Sequence, residues 1–266
     1  MIGLALASIS VGVAAFGPWF APYSPTEIVG IPYGEPSGSH VLGLDYLGRD
    51  AFSRFLWGGR TAIVLALSGV LLGCAVGVIA GLLAAYLRGW PDAFFNRTTE
   101  VLLVFPSLVF ILVLITAFGS ALWLVVVAVA AANAPRIARV VRAAALDVRV
   151  SGYVEVAEAR GERRSYVMVR EMLPNMLSPI GVDFGIRVST SIILVAGISF
   201  LGLGLQPPNA DWGLIVSENR SGITIQPWVV VAPIVAIAML TIGINLVFDG
   251  LRRQRLPEAS QVEALS

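Results

Sequence analysis

Long apolar runs without a charged side chain constrain this chain more than any other feature of its sequence. Residues 2–21, 61–87 and 101–135 contain no Asp, Glu, Lys or Arg. A helix advances about 1.5 Å per residue, so about 20 apolar residues span the ~30 Å hydrocarbon layer of a membrane. The runs therefore predict an all-α protein whose helices cross a bilayer.

Composition supports a membrane protein and excludes several classes of site. Hydrophobic residues make up 57% of the chain and charged residues only 13%, which lies outside the range of ordinary soluble domains. All 18 basic residues are arginine. Without lysine the chain has neither a Walker A nucleotide site nor a Schiff-base site, so energy from a nucleotide has to come from a partner.

The rare reactive side chains point to no catalytic or metal centre. Cys74 is the only cysteine and His40 the only histidine, so the chain has no internal disulfide, no Cys/His metal site and no histidine-based triad. The net charge of +1 argues against nucleic acid as a partner. We expect no cofactor in this chain.

Six membrane-spanning helices account for the apolar segments. The run 101–135 is too long for one span and predicts a hairpin at Gly119 and Ser120. Pro106 is expected to kink the helix before that hairpin, because proline removes one backbone hydrogen bond. A cleaved signal peptide is the alternative for the first run, although no basic residue precedes it. The predicted spans are 2–21, 61–87, 94–118, 121–141, 178–204 and 227–248.

Two features inside the spans predict contacts. Four glycines recur every four residues in the second span, which places them on one helix face where another backbone can approach closely. Asp183 and Arg187 are spaced to pair on one face of the fifth span. A structural pair near the cytoplasmic end and a contact with a transported solute both remain open. The four glycines are Gly69, Gly73, Gly77 and Gly81.

Arginine counts set the orientation. If both ends of a six-span chain are cytoplasmic, thirteen arginines lie inside and four outside, with Arg187 in the membrane, as the positive-inside rule requires. The inside set is Arg88, Arg97, Arg136, Arg139, Arg142, Arg149, Arg160, Arg163, Arg164, Arg170, Arg252, Arg253 and Arg255. The outside set is Arg49, Arg54, Arg60 and Arg220.

The outside segment after the first span is polar and rich in proline and glycine. Within it, Asp45 precedes Arg49, and Asp50 precedes Arg54, at the four-residue spacing that supports ion pairs on a helix surface. We expect a solvated helix face whose charges pair with one another.

The second polar stretch, residues 143–175, lies on the cytoplasmic side. Ser151 is placed to cap a short helix with its hydroxyl, and Glu155 complements the positive helix N-terminus. Gly161 allows a turn with positive φ, after which a second helix can run towards Leu173. The stretch predicts a helix-turn-helix elbow.

The elbow resembles the EAA loop of ABC importer permeases. The resemblance rests on Glu155, Val156, Ala157 and Gly161, followed by Leu173 and Pro174. Two positions depart from the motif, where Val156 replaces alanine and Glu171 replaces a common isoleucine. Residues 42–54, 199–208, 211–213 and 249–252 resemble the subgroup that imports dipeptides, oligopeptides and nickel.

The resemblance implies a type I importer permease fold in the bacterial inner membrane and a non-enzymatic role. The implied partners are a second homologous permease subunit, cytosolic ATPase subunits that bind ATP and Mg, and an extracytoplasmic solute-binding protein. In the elbow, Glu155 would make charge-assisted hydrogen bonds, Ala157 would permit close approach, and Gly161 would set the turn. Leu173 and Pro174 would position the elbow against the membrane. The cargo stays open among dipeptides, oligopeptides, nickel chelates and haem.

The expected organisation has three parts: residues 1–60 with the first span and the outside segment, a permease core over 61–256, and a polar tail over 257–266 that is expected to be disordered. Two other functions stay open. An ion-coupled transporter would carry acidic or histidine relays at mid-membrane, and the only charged pair here is peripheral. A membrane scaffold without transport activity is the other.

Overall fold

The computed structural model describes residues 2–87 and 89–254, so the predicted tail lies outside the described residues. These residues form ten α-helices, one π-helical segment and one 3-10 turn, with no β-strand beyond two isolated bridges. The α-helices are α1 (Ile2–Phe20), α2 (Ala51–Leu87), α3 (Trp90–Val104), α4 (Ser107–Phe118), α5 (Leu122–Arg149), α6 (Gly152–Ala159), α7 (Arg164–Tyr166), α8 (Leu173–Phe200), α9 (Trp212–Asn219) and α10 (Trp228–Gln254).

Five helical stretches, corresponding to α1, α2, α5, α8 and α10, are long and apolar enough to cross a membrane. The bent pair of α3 and α4 brings the number to six if it counts as one span. The predicted spans find these helices, but α2 begins at Ala51 rather than at residue 61, and α5 continues to Arg149. The spans were predicted from runs without charged residues, so the charged ends of these two helices fell outside the predicted bounds.

The predicted kink at Pro106 is a complete break. Helices α3 and α4 meet at 89°. Phe105 and Pro106 are both extended, with ψ of 130° and 129°. A residue before proline is pushed out of the helical region by the proline ring, and here the proline also leaves that region, so two successive residues are lost from the helix.

Helices α2 and α5 pack along the glycine face of α2. A Cβ atom on Gly73 would lie 2.9 Å from the Ala130 carbonyl oxygen, and one on Gly77 would lie 2.8 Å from that of Ala134. Gly69 faces Val129, and Gly81 lies against α5 one turn beyond Gly77. Side chains at these positions would force the two backbones apart.

The buried side chains form two clusters, one towards each end of the bundle. The first surrounds Trp212 and joins α2, α4, α5, α8 and α10. The second includes Val141, Met172 and Met176 and joins the ends of α2 and α5 to α6 and the start of α8. Between them, Asn133 of α5 donates a hydrogen bond to Ser191 of α8 at 3.0 Å, which fixes the relative level of these helices.

Candidate functional site

The elbow begins at α6 and turns at Gly161. Gly161 has φ of +75°. Its N–H donates to the Glu158 carbonyl at 2.9 Å, and the Glu162 N–H donates to that of Ala157 at 3.2 Å, which is the hydrogen-bond pattern of a Schellman cap. The predicted side-chain cap is wrong, because Ser151 holds the N-cap position without a side-chain hydrogen bond. Its backbone carbonyl accepts from Val154 instead.

Helix α6 has one buried face and one exposed face. Val154 and Ala157 are 1% and 5% exposed and belong to the second buried cluster. Glu155 and Val156 lie on the exposed side, Val156 with half of its surface accessible. Ala157 therefore packs against the chain's own core.

The elbow continues directly into a membrane helix. After α7, the π-helical segment Val167–Met172 leads without interruption into α8. Leu173 packs against the second cluster, and Pro174 stands exposed where the π-helical segment passes into α8. The chain from α7 to α8 is therefore one continuous helical stretch, and only the turn at Gly161 separates it from α6.

Arg149 binds the base of the elbow to the end of α2, a contact between distant residues that no sequence pattern predicted. Its Nη1 donates to the carbonyls of Tyr86 at 2.5 Å and Ala85 at 3.1 Å, and the guanidinium lies 5.1 Å from the centre of the Tyr86 ring. These groups line an open cleft together with Glu158 and Arg164. The cleft joins the ends of α2 and α5 to the elbow.

The charged segment between α1 and α2, which was predicted to lie outside, folds into a buried ionic cluster. The carboxylate of Asp45 accepts from Arg49 Nε at 2.7 Å and from Arg54 Nη1 at 2.5 Å. Arg54 Nη1 also lies 2.7 Å from Glu218 Oε2, and Arg49 Nη2 donates to the same oxygen at 3.3 Å. Asp45 and Arg54 are fully buried, so the expected solvated helix face is wrong.

Asp50 does not pair with the Arg54 side chain as its spacing suggested. One oxygen of its carboxylate accepts from the backbone N–H and the hydroxyl of Ser53, both at 2.7 Å, and so caps α2. The other oxygen lies 3.1 Å from His40 Nδ1. The spacing of Asp50 and Arg54 predicted an ion pair on a helix surface. Instead, Asp50 caps the start of α2 and binds His40 of the preceding loop.

Helix α9 completes this outside structure. Asp211 caps it by accepting from the N–H groups of Gly213 and Leu214 at 3.0 and 3.2 Å. Burial raises the pKa of the Asp211 carboxyl from 3.8 to about 6. Trp212 Nε1 donates to the Phe55 carbonyl at 2.9 Å and ties α9 to α2.

Ionic contacts within the helical bundle involve α3, α5 and α8. Asp183 and Arg187 pair at 2.8 Å on one face of α8, with the geometry that their spacing predicts. Arg142 of α5 binds Asp92 of α3 through two hydrogen bonds, Nε at 2.5 Å and Nη2 at 2.7 Å. The latter pair joins residues fifty positions apart, for which sequence spacing carries no signal.

Residues 77–256 match the family described as "Binding-protein-dependent transport system inner membrane component". The chain belongs to this family. It is a permease subunit of an ABC importer, and the matched region contains the whole elbow and both helices that flank it.

Two relatives of the permease have names that state what they transport. The chain is 41% identical over 217 residues to the glutathione transport system permease protein GsiD of Pectobacterium atrosepticum, covering 82% of this chain and 72% of the relative. It is 38% identical over 242 residues to GsiD of Shigella dysenteriae serotype 1, covering 90% and 80%.

A solved structure shares the fold of the permease. The inward-facing MetNI methionine ABC transporter matches with a TM-score of 0.56 and 17% identity, covering 74% of this chain and 96% of that chain. The fold is therefore that of a type I importer permease. Among the residues that the structure describes, no group of three His, Cys, Asp or Glu side chains is arranged to hold a metal ion.

Proposed function

We propose that this chain is one half of a heterodimeric pore that imports a peptide or a similar solute, driven by ATP hydrolysis in partner subunits. Support for a peptide cargo comes from the relatives named as glutathione permeases, since glutathione is itself a short peptide. Support for the arrangement of partners comes from the family, whose name refers to transport that depends on a binding protein.

The elbow is the proposed coupling element, and the two faces of α6 carry this proposal. Glu155 and Val156 lie on its exposed side, where a partner could bind them. Val154 and Ala157 pack into the second cluster and anchor the helix there. A force applied to α6 therefore reaches α2, α5 and α8 through packed side chains. An ATPase that moves the elbow would shift these helices together between outward-facing and inward-facing states.

The orientation follows from the same proposal. Twelve of the eighteen arginines fall on the side of the elbow in a six-span chain and four on the other side, with Arg136 and Arg187 within the spanning helices, which favours a cytosolic elbow. The outside cluster of Asp45, Arg54 and Glu218 then lies on the face that a solute-binding protein would approach.

The test is ATPase stimulation in reconstituted complexes of this chain, its second permease subunit and the ATPase subunits. Loaded binding protein is expected to stimulate hydrolysis by the complex, and Glu155→Ala is expected to weaken that stimulation without changing membrane insertion. Glu27→Ala removes another exposed glutamate, far from the elbow in the sequence, and serves as the control. Normal stimulation in the Glu155 variant would contradict the role assigned to this side chain.

A further inference from the structure

A group of ionisable side chains lies within the membrane region at one depth. At about 1.5 Å per residue, Arg136 lies about 21 Å from Leu122 at the outer end of α5, and Arg187 lies about 20 Å from Phe200 at the outer end of α8. The hydrogen bond between Asn133 and Ser191 holds the two helices in this register one turn away.

Arg136 has few internal partners. Its Nη1 donates to the Ala132 carbonyl of its own helix at 2.6 Å, and among the described residues no other acceptor binds its side chain. The side chain is half-buried and borders a cavity at the break between α3 and α4 that has room for about one water molecule, beside Phe105 and Ser107. Its remaining N–H groups have no acceptor among the described residues.

Arg187 is oriented by Asp183, which occupies only some of its hydrogen-bond donors. Asp183 accepts from its Nε at 3.3 Å and from its Nη2 at 2.8 Å. In the described part of the chain no acceptor binds Nη1. Asp183 thus orients the guanidinium and leaves one of its edges open.

The charges do not balance. Two arginines face one aspartate, so among the described residues one positive charge is uncompensated inside helices long enough to span a membrane. An unpaired charge in such a position is costly unless water or a counter-ion reaches it. An anionic ligand would supply the missing charge.

An open face of α8 leads to this group. Helix α8 packs against α2, α4, α5, α9 and α10, yet Ile186, Thr190, Ile193 and Phe200 are exposed. Their spacing places them on one side of the helix, and Asp183 and Arg187 flank that side. A solute that moves along this face from the outer end would meet Arg187, and Arg136 lies at the same level on the neighbouring helix α5.

We propose that Arg136 and Arg187 form an intramembrane binding position for a carboxylate group of the imported solute, with Asp183 as the residue that positions Arg187. Guanidinium groups suit this task because their planar donor pairs match the geometry of a carboxylate. The inference rests on the proposed import function and specifies the anionic group that the pore recognises.

The test compares tri-alanine with tri-alanine amide, which lacks the carboxylate. Uptake of each peptide at saturating concentration is measured in vesicles that contain the complete transporter and its binding protein. Because every variant works with the same binding protein, a change in the ratio of the two uptake rates arises in the permease. The variants are Arg136→Gln and Arg136→Lys, with Arg139→Gln as an exposed control on the same helix.

Arg136→Gln is expected to lower tri-alanine uptake about tenfold, the effect of losing about 1.4 kcal/mol from a charge-assisted hydrogen bond, and to leave uptake of the amide unchanged. Arg136→Lys keeps the charge and is expected to retain most of the activity, and Arg139→Gln all of it. An unchanged ratio in Arg136→Gln, with active transport, would overturn the carboxylate site alone. Failure of the unmodified transporter to import either peptide would overturn the proposed peptide import as well.

Discussion

The outside cluster and the elbow are both rich in charge, but the fold treats their charges in opposite ways. Outside, Asp45 and Arg54 are fully buried and pair with Glu218 from a distant part of the chain. In the elbow, Glu155 and Arg163 are exposed. Charges that the chain satisfies internally hold the permease together, whereas charges left in solvent are available to another subunit.

The energetic contrast follows from the surroundings. Removing one member of a buried ion pair leaves the other uncompensated and costs about 3–5 kcal/mol, whereas exposed pairs contribute about 0–1 kcal/mol. The comparison therefore predicts that substitutions outside act on stability, and that substitutions in the elbow act on function.

The largest effect on stability is expected for Arg54→Met. The variant leaves the carboxylates of Asp45 and Glu218 with one cation fewer and is expected to lose about 3–5 kcal/mol of folding free energy. Thermal unfolding of the detergent-solubilised subunit measures the loss. Arg220→Met, at an exposed position of the same outside region, is the control and should unfold as the unmodified protein does.

A smaller effect concerns pH and Asp211. Its folded pKa of about 6 exceeds the ordinary 3.8, so between these values the folded state holds a proton that the unfolded state releases. The contribution of this group to stability is therefore largest below about pH 4, and it falls by roughly 2–3 kcal/mol as the pH rises to about 6.

Measurements of the free energy of unfolding between pH 4 and 6 test whether stability falls as the pH rises. Asp211→Asn keeps an oxygen that can accept from Gly213 and Leu214 but removes the titration, so its stability should vary less between pH 4 and 6. An identical pH dependence in the variant would show that Asp211 does not titrate as proposed.

A still smaller effect is expected at the turn of the elbow. Gly161→Ala places a side chain at φ of +75°, which costs about 1–2 kcal/mol. No described atom would touch the added methyl group, so backbone conformation alone sets this cost. Thermal unfolding compares Gly161→Ala with Gly152→Ala, a glycine of α6 that is equally open but lacks positive φ. Equal stability of the two variants would contradict the assigned turn.

The smallest effect on stability is expected for Glu155→Ala. Its side chain is exposed, and no described residue accepts or donates a side-chain hydrogen bond to it. Loss of the interaction with the helix N-terminus is expected to lower the folding free energy by no more than about 1 kcal/mol, although coupling to the ATPase weakens. Clear destabilisation would place Glu155 with the structural charges and remove the contrast between the two regions.

Local patterns in the sequence predicted local structure well. Charge-free runs located the spanning helices, and Gly161 located the turn of the elbow, because helix length and positive φ depend on nearby residues. The spacing of Asp183 and Arg187 likewise found a pair on one helix.

Contacts between residues far apart in the sequence could not be predicted from local patterns. Arg49 meets Glu218 across 169 positions, and spacing within the outside segment instead suggested the wrong partner for Arg54. Ala157 is buried because α2 and α5 end beside α6, and no motif within the elbow specifies where those helices end. Burial of charge is a tertiary property, so the sequence missed the contrast that separates the two regions.

Cysteine crosslinking on α6 tests the coupling role of the elbow most directly. In a Cys74→Ser background, Val156→Cys places a thiol on the exposed side of α6, and Ala157→Cys places one in the buried cluster. We predict that Val156→Cys crosslinks to the ATPase subunit with a yield that changes when ATP binds, and that Ala157→Cys does not crosslink. Labelling of Val156→Cys from outside intact cells, or no crosslink to the ATPase in an active complex, would contradict the account.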